Sequence, residues 1–280
     1  MPVSRRVAAR DGLALHALEW AGDEARTPLL LLPGICRTAW DFALLAERHA
    51  GKRRVVALDY MGHGDSARAP DVSRYRPERA AGDVLDACAA LHLPRAVVVG
   101  TSFGGIMAMV LSILRPRLLR AAVLNDIGPR IDPRGLALVG GFAGHDPGFP
   151  GLDEAVAYLR TVMPRLPLPD EEAWRRFAAL TYKPGADGLL HPRWDTRIQR
   201  AMEAGGGAPD LGPAFRGLRP IPAMLVWGEE SEFLAAETVR EMVREKPDLE
   251  LVTLPGAGHA PTLEEPGVAA PLDRFLDRIP

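Results

Sequence analysis

Apolar residues along this chain fall into short runs separated by stretches with helical spacing, and the two patterns take turns. Residues 3–9 and 13–20 flank Asp11-Gly12, a hairpin signal that predicts two antiparallel strands at a sheet edge. Leu29-Leu30-Leu31-Leu32 is an uninterrupted apolar strand that ends in a Pro33-Gly34 loop. A helical segment near residues 40–49 leads to a strand at 54–59 and the turn-rich Tyr60-Met61-Gly62-His63-Gly64-Asp65-Ser66. Residues 78–91 read as a helix and 97–99 as a β-branched strand. Ile106, Met109, Val110 and Ile113 then recur at helical spacing until Pro116 stops them, and a strand at 121–124 follows. Strands alternating with helices predict right-handed crossovers and a mostly parallel sheet with helices on both faces, an α/β fold.

That rhythm breaks over residues 130–217, where no buried strand is evident and Gly, Pro, Trp and Arg are frequent. Short amphipathic helices are predicted at 154–163, 171–181 and roughly 194–204, with Pro164 and Pro184 near their ends. Gly205-Gly206-Gly207 supplies a flexible return. The α/β pattern resumes with a strand at 223–227, a helix at 236–244, a strand at 249–254 and a last helix at 268–278. Residues 1–129 and 218–280 therefore read as one core, and 130–217 as a helical insertion.

The 280 residues suffice for one large core carrying such an insertion. A net charge of -2, with positive residues scattered, gives no basis for a nucleic-acid or anionic-membrane partner. The amino terminus lacks the apolar run of a signal peptide and no later run is long enough to span a bilayer, so the expected location is the cytoplasm. Cys36 and Cys88 are too few for a disulfide framework or a thiolate metal site and read as small buried groups. Neither a nucleotide-binding glycine loop nor a metal-ligand spacing is present, so no cofactor and no metal is expected.

The chemistry centres on Gly100-Thr101-Ser102-Phe103-Gly104, which bends from the 97–99 strand into the following helix. With 28 glycines in the chain a glycine-flanked serine alone is moderate support, but the strand-before, helix-after context is the one that gives it meaning. Gly100 and Gly104 leave room for a sharp turn, and the Phe103 N–H falls at a helix N-terminus that favours developing negative charge. Partners should lie in the other loops beyond the carboxyl ends of the strands. The Pro33-Gly34-Ile35 loop can bring the Ile35 N–H beside the serine, where with Phe103 it would stabilise an oxyanion. His259, in Pro255-Gly256-Ala257-Gly258-His259-Ala260-Pro261, combines a flexible loop with a position after the serine and can serve as base. Two carboxylates could orient it: Asp126 after the 121–124 strand, and Glu232 after the 223–227 strand.

Together, Pro33-Gly34, the 59–66 turn, Gly100 to Gly105, Trp227-Gly228-Glu229 and Gly258-His259 resemble the α/β-hydrolase superfamily along nearly the whole chain. The resemblance implies Ser102 as nucleophile, His259 as base, Ile35 and Phe103 as oxyanion-hole residues, and 130–217 as a helical cap. Where the family commonly carries its acid this chain has Ser231. Some branches use an Asp-Ile-x-Pro setting like Asp126-Ile127-Gly128-Pro129, so Asp126 is preferred as the acid and Glu232 is the alternative. His63 is read as shaping the fold. A serine nucleophile implies hydrolysis of a carboxylic ester or lactone through an acyl-enzyme, with carbon–carbon bond hydrolysis or a low-turnover receptor on the same fold as alternatives. It argues against epoxide or haloalkane hydrolysis, which uses aspartate at that position. The expected partner is a small apolar or aromatic ester, with Trp40, Trp174 and Trp194 as candidate contacts.

Overall fold

The computed structural model describes residues 1–205 and 209–280, so Gly206 and Gly207 of the expected return lie outside the described residues. β1 (Val3–Ala8) and β2 (Ala14–Trp20) form the antiparallel hairpin about Asp11-Gly12. β3 (Leu29–Leu32), α1 (Ala43–His49), β4 (Val55–Asp59), α2 (Pro77–Ala90), β5 (Ala96–Thr101), α3 (Phe103–Leu114) and β6 (Leu119–Asn125) follow in the expected alternation. Next come α4 (Pro133–Gly144), α5 (Leu152–Val162), α6 (Glu171–Thr181), the small hairpin β7 (Tyr182–Pro184) and β8 (Leu190–Pro192), α7 (Ile198–Glu203) and α8 (Gly212–Arg216). The chain closes with β9 (Ala223–Gly228), α9 (Ala236–Glu245), β10 (Glu250–Leu254) and α10 (Pro266–Asp277).

Eight strands form one sheet in the order β1-β2-β4-β3-β5-β6-β9-β10. β2 runs antiparallel to β1 and β4, and every other pairing in this sheet is parallel. Alternate residues of each central strand feed different apolar layers. Leu30, Leu32, Val56, Leu58 and Val98 pack with α2, α3 and α9, whereas Leu29, Leu31, Val55, Ala57, Val97 and Val99 pack with α1 and α10. Burial on both faces is why these strands are apolar throughout rather than alternating.

Several features of the segment between β6 and β9 differ from the sequence expectation, the short α8 among them. The α4 helix was not anticipated, because glycines at 135, 140, 141 and 144 dilute its apolar stripe. Its start is nevertheless encoded: the Asp132 carboxylate accepts the Arg134 N–H and Pro133 opens the first turn. The β7–β8 hairpin was also unread, since three residues per strand give too short a pattern. Finally, α7 begins at Ile198 rather than near 194. The preceding residues are held extended by backbone bonds to the Gly62–Gly64 turn, Gly64 N–H to Arg193 O and Asp195 N–H to Gly62 O, both 2.7 Å.

Asp59, at the end of β4, organises the turn beneath that contact. Its buried carboxylate accepts from Ala39 N–H at 2.7 Å, Asp65 N–H at 3.1 Å and His16 Nδ1 at 2.7 Å. The adjacent parallel strands β3, β5, β6 and β9 bring their carboxyl-end loops to one edge, where the candidate residues meet.

Candidate active site

Ser102 occupies the bend between β5 and α3 with φ 51° and ψ −112°, a left-handed conformation that a non-glycine residue holds only when its surroundings enforce it. The flanking glycines make the bend possible. A Cβ on Gly100 would sit 2.3 Å from the Gly104 carbonyl, and one on Gly104 would sit 1.9 Å from the Leu32 oxygen. The β6 ladder continues into the bend, with Ser102 N–H donating to Asn125 O at 2.9 Å.

From this bend a chain of hydrogen bonds runs across three loops. The Ser102 hydroxyl lies 2.8 Å from His259 Nε2, and His259 Nδ1 lies 2.7 Å from Asp126 Oδ2. Asp126 is fully buried directly after β6 and also accepts from Gly228 N–H at 3.0 Å and the Ser231 hydroxyl at 2.5 Å. As a carboxylate it accepts from the Nδ1–H of His259, which leaves Nε2 free to accept from serine. Glu232 reaches the same loop differently. Its Oε2 accepts the His259 backbone N–H at 3.4 Å, and Oε1 lies 3.7 Å from Arg165.

Two supports for His259 escaped the sequence reading. The Phe233 ring stacks on the imidazole, with centroids 3.8 Å apart and planes inclined by 20°. Asn125 Nδ2 donates to Pro261 O at 2.7 Å and so ties the histidine loop to the end of β6. Asn125 adjoins the candidate acid and Phe233 adjoins Glu232, but neither position carries a motif of its own.

The loop after β3 places Gly34 against the serine: a Cβ added there would lie 3.6 Å from Ser102 Cβ. Neither the Ile35 N–H nor the Phe103 N–H has a hydrogen-bond acceptor among the described residues. Loop shape depends on His63, whose ring is buried. Its Nδ1–H donates to Met61 O at 3.1 Å, and Nε2 accepts the Cys36 N–H at 3.2 Å. Burial holds the His63 pKa below its ordinary value, which favours this neutral ring. Cys36 itself takes φ 65° and is buried, with its thiol pKa pushed up by burial.

Residues 29–272 match the alpha/beta hydrolase family. The chain belongs to that family. This hydrolase is 33% identical over 276 residues to a 3-hydroxybutyrate-oligomer hydrolase of Cupriavidus necator, covering 94% of this chain and 92% of that protein. It is 30% identical over 232 residues to a 2-(acetamidomethylene)succinate hydrolase of Mesorhizobium japonicum, covering 82% of this chain and 81% of the other. A crystallised alpha/beta hydrolase from Novosphingobium aromaticivorans superimposes with a TM-score of 0.95 at 37% identity, covering 99% of each chain.

Above Ser102 and His259 the hydrolase encloses a cavity of about 920 Å³. Its walls are largely apolar, with Phe142, Tyr158, Leu166 and Phe177 contributed by the segment between β6 and β9. Trp40 borders the cavity from the β3 side and is 38% exposed. Trp174 and Trp194 depart from the expectation, because neither lines this cavity. The Trp194 indole N–H is satisfied by Ala143 O at 2.8 Å and its ring packs on Phe142, while Trp174 packs against Phe177 and beneath Arg160. Both serve the interior of their own segment. Among the described residues no group of His, Cys, Asp and Glu is arranged to hold a metal ion, and no helix is long and apolar enough to cross a membrane.

Proposed function

We propose that this hydrolase cleaves a carboxylic ester through an acyl-enzyme, with Ser102 as nucleophile, His259 as base and Asp126 as the acid that orients it. The observation that carries this reading is the unbroken contact from Ser102 Oγ through His259 to Asp126, at 2.8 and 2.7 Å, on the floor of a cavity. Ser102 Oγ attacks the ester carbonyl carbon as its proton passes to His259 Nε2. The carbonyl oxygen gains the negative charge and takes the unpaired N–H groups of Ile35 and Phe103. As the carbon–oxygen bond to the leaving group breaks, His259 returns the proton to the departing alkoxide. Water then repeats the sequence on the acyl-enzyme and frees Ser102 with release of the acid.

Residues 130–217 act as a cap that selects substrate, a role supported by the apolar side chains they contribute to the cavity. An apolar ester of moderate size fits that lining. The relative named for 3-hydroxybutyrate oligomers supports ester over carbon–carbon cleavage, because such oligomers are joined by ester bonds. A small-molecule ester is the partner, and the two buried free thiols are compatible with the reducing cytoplasm.

The test is steady-state turnover of a panel of 4-nitrophenyl esters, a hydroxybutyrate dimer, a lactone and a dienol-ketone. Preferential cleavage of the esters supports the reading. Preference for the dienol-ketone establishes carbon–carbon hydrolysis in its place, and tight binding without turnover establishes a receptor.

A further inference from the structure

The cavity walls are largely apolar, but several charged side chains border them, and among the described residues each of these except Arg176 makes at least one polar contact within the protein. Arg37 forks onto Asp41 with both contacts at 2.6 Å and stacks on the Phe177 ring, its guanidinium carbon 3.9 Å from the ring centre. Arg165 is held by Glu230 at 2.8 Å and Glu232 at 3.7 Å. Glu264 is paired with Arg48, and Glu265 Oε1 accepts the N–H and hydroxyl of Thr262 at 2.8 and 2.9 Å. Arg176, exposed on α6 beside Phe177, borders the same cavity and has no hydrogen-bond or ion-pair partner among the described residues. Its neighbours on the same segment are occupied elsewhere, Arg175 with Asp153 and Arg160 with Glu171.

Glu265 Oε2 is buried without a hydrogen-bond partner, but among the described residues the one cation at this cavity with no partner is the Arg176 guanidinium. A planar guanidinium presents paired donors that match the two oxygens of a carboxylate, so its natural complement is a carboxylate rather than a neutral group. We propose that Arg176 anchors a carboxylate at the far end of the substrate. The preferred substrates are then esters that carry a free acid, such as half-esters of dicarboxylic acids or short oligoesters of hydroxy acids. Their apolar methylenes lie along the Phe142 and Phe177 walls while the ester carbonyl meets Ser102. This assignment rests on the ester-hydrolase reading above and narrows its substrate class.

A matched pair of substrates tests it: the mono-4-nitrophenyl ester of adipic acid and 4-nitrophenyl hexanoate, which share a leaving group and chain length but differ in the distal charge. The expected result is that Arg176→Gln lowers the ratio of kcat/KM for the anionic over the neutral ester by about 10-fold, mainly through KM, and that Arg176→Glu lowers it further. Arg175→Gln should leave the ratio where it is, and added salt should reduce the wild-type preference. An unchanged ratio in Arg176→Gln overturns the proposal. Calorimetric titration of monomethyl adipate into Ser102→Ala protein, with and without Arg176→Gln, reads the anchor independently of turnover. If the wild type cleaves neither ester, the ester reading fails, and the anchor still stands or falls on whether Arg176→Gln weakens that binding about 10-fold.

Discussion

The Ser231 hydroxyl donates to Asp126 Oδ2 at 2.5 Å, on the same oxygen that receives His259 Nδ1. Ser231 Oγ in turn accepts the Phe233 and Leu234 N–H groups, each at 3.1 Å, so the serine is fixed by the backbone that carries Phe233. The Ser231 position after β9 thus braces the Asp126 carboxylate that follows β6 and carries no carboxylate of its own.

Loss of this support should appear in kcat. A hydrogen bond to a charged acceptor is worth roughly 1.5 to 3 kcal/mol, so Ser231→Ala is expected to lower kcat about 10-fold with little change in KM. Steady-state kinetics on a 4-nitrophenyl ester measures this. An unaltered kcat would show that Ser231 only fills space beside Asp126.

The two candidate acids separate cleanly. Asp126→Asn leaves an amide where His259 Nδ1–H needs a carboxylate, and the expected loss in kcat is about 10⁴-fold. Glu232→Gln retains an acceptor for the His259 backbone N–H and should cost no more than about threefold. Circular dichroism on both variants checks folding. A crippled Glu232→Gln beside an active Asp126→Asn would reverse the assignment.

His63 links pH to stability and to the loop after β3. Its pKa is lowered in the folded protein by burial, with the hydrogen bond to the Met61 carbonyl, and then Asp59 and Asp195, opposing that shift. Below the unfolded value of about 6.5 the unfolded chain therefore binds the extra proton first, and stability falls as pH falls. Protonated His63 also has no lone pair for the Cys36 N–H. Urea unfolding at pH 5.0 and 7.5 should show a smaller acid penalty in His63→Gln than in the wild type. Equal penalties would show that another group governs acid sensitivity.

Gly104→Ala should fail as a folded protein, because its Cβ would lie 1.9 Å from the backbone oxygen of Leu32. Neither backbone can yield without breaking β3 from α3, and the expected destabilisation is roughly 3 kcal/mol or more. Urea denaturation reads it directly. A variant of wild-type stability would show that the bend can open.

Much of this was legible in the sequence because the central strands are buried on both faces and punctuated by Gly and Pro. Ser102 and His259 could be singled out because one directly follows a strand and the other sits in a glycine loop, whereas Asp126 and Glu232 both follow strands and only the Asp-Ile-x-Pro resemblance favours Asp126. What stayed hidden depends on contacts between distant segments. The α4 helix was obscured by its glycines, and the late start of α7 is set by the Gly62–Gly64 turn. Trp174 and Trp194 were attractive as cavity residues by type alone, but burial within their own segment decides their role. Phe233 becomes visible as a support only when its ring is found on His259.

Covalent labelling reads the role of Ser102 as nucleophile without reliance on any particular substrate. A fluorophosphonate should add one phosphonyl group per chain, located to Ser102 by peptide mass spectrometry, with ester turnover lost in step and no labelling of Ser102→Ala. Labelling at another residue, or full ester turnover by Ser102→Ala, would rule out Ser102 as the nucleophile.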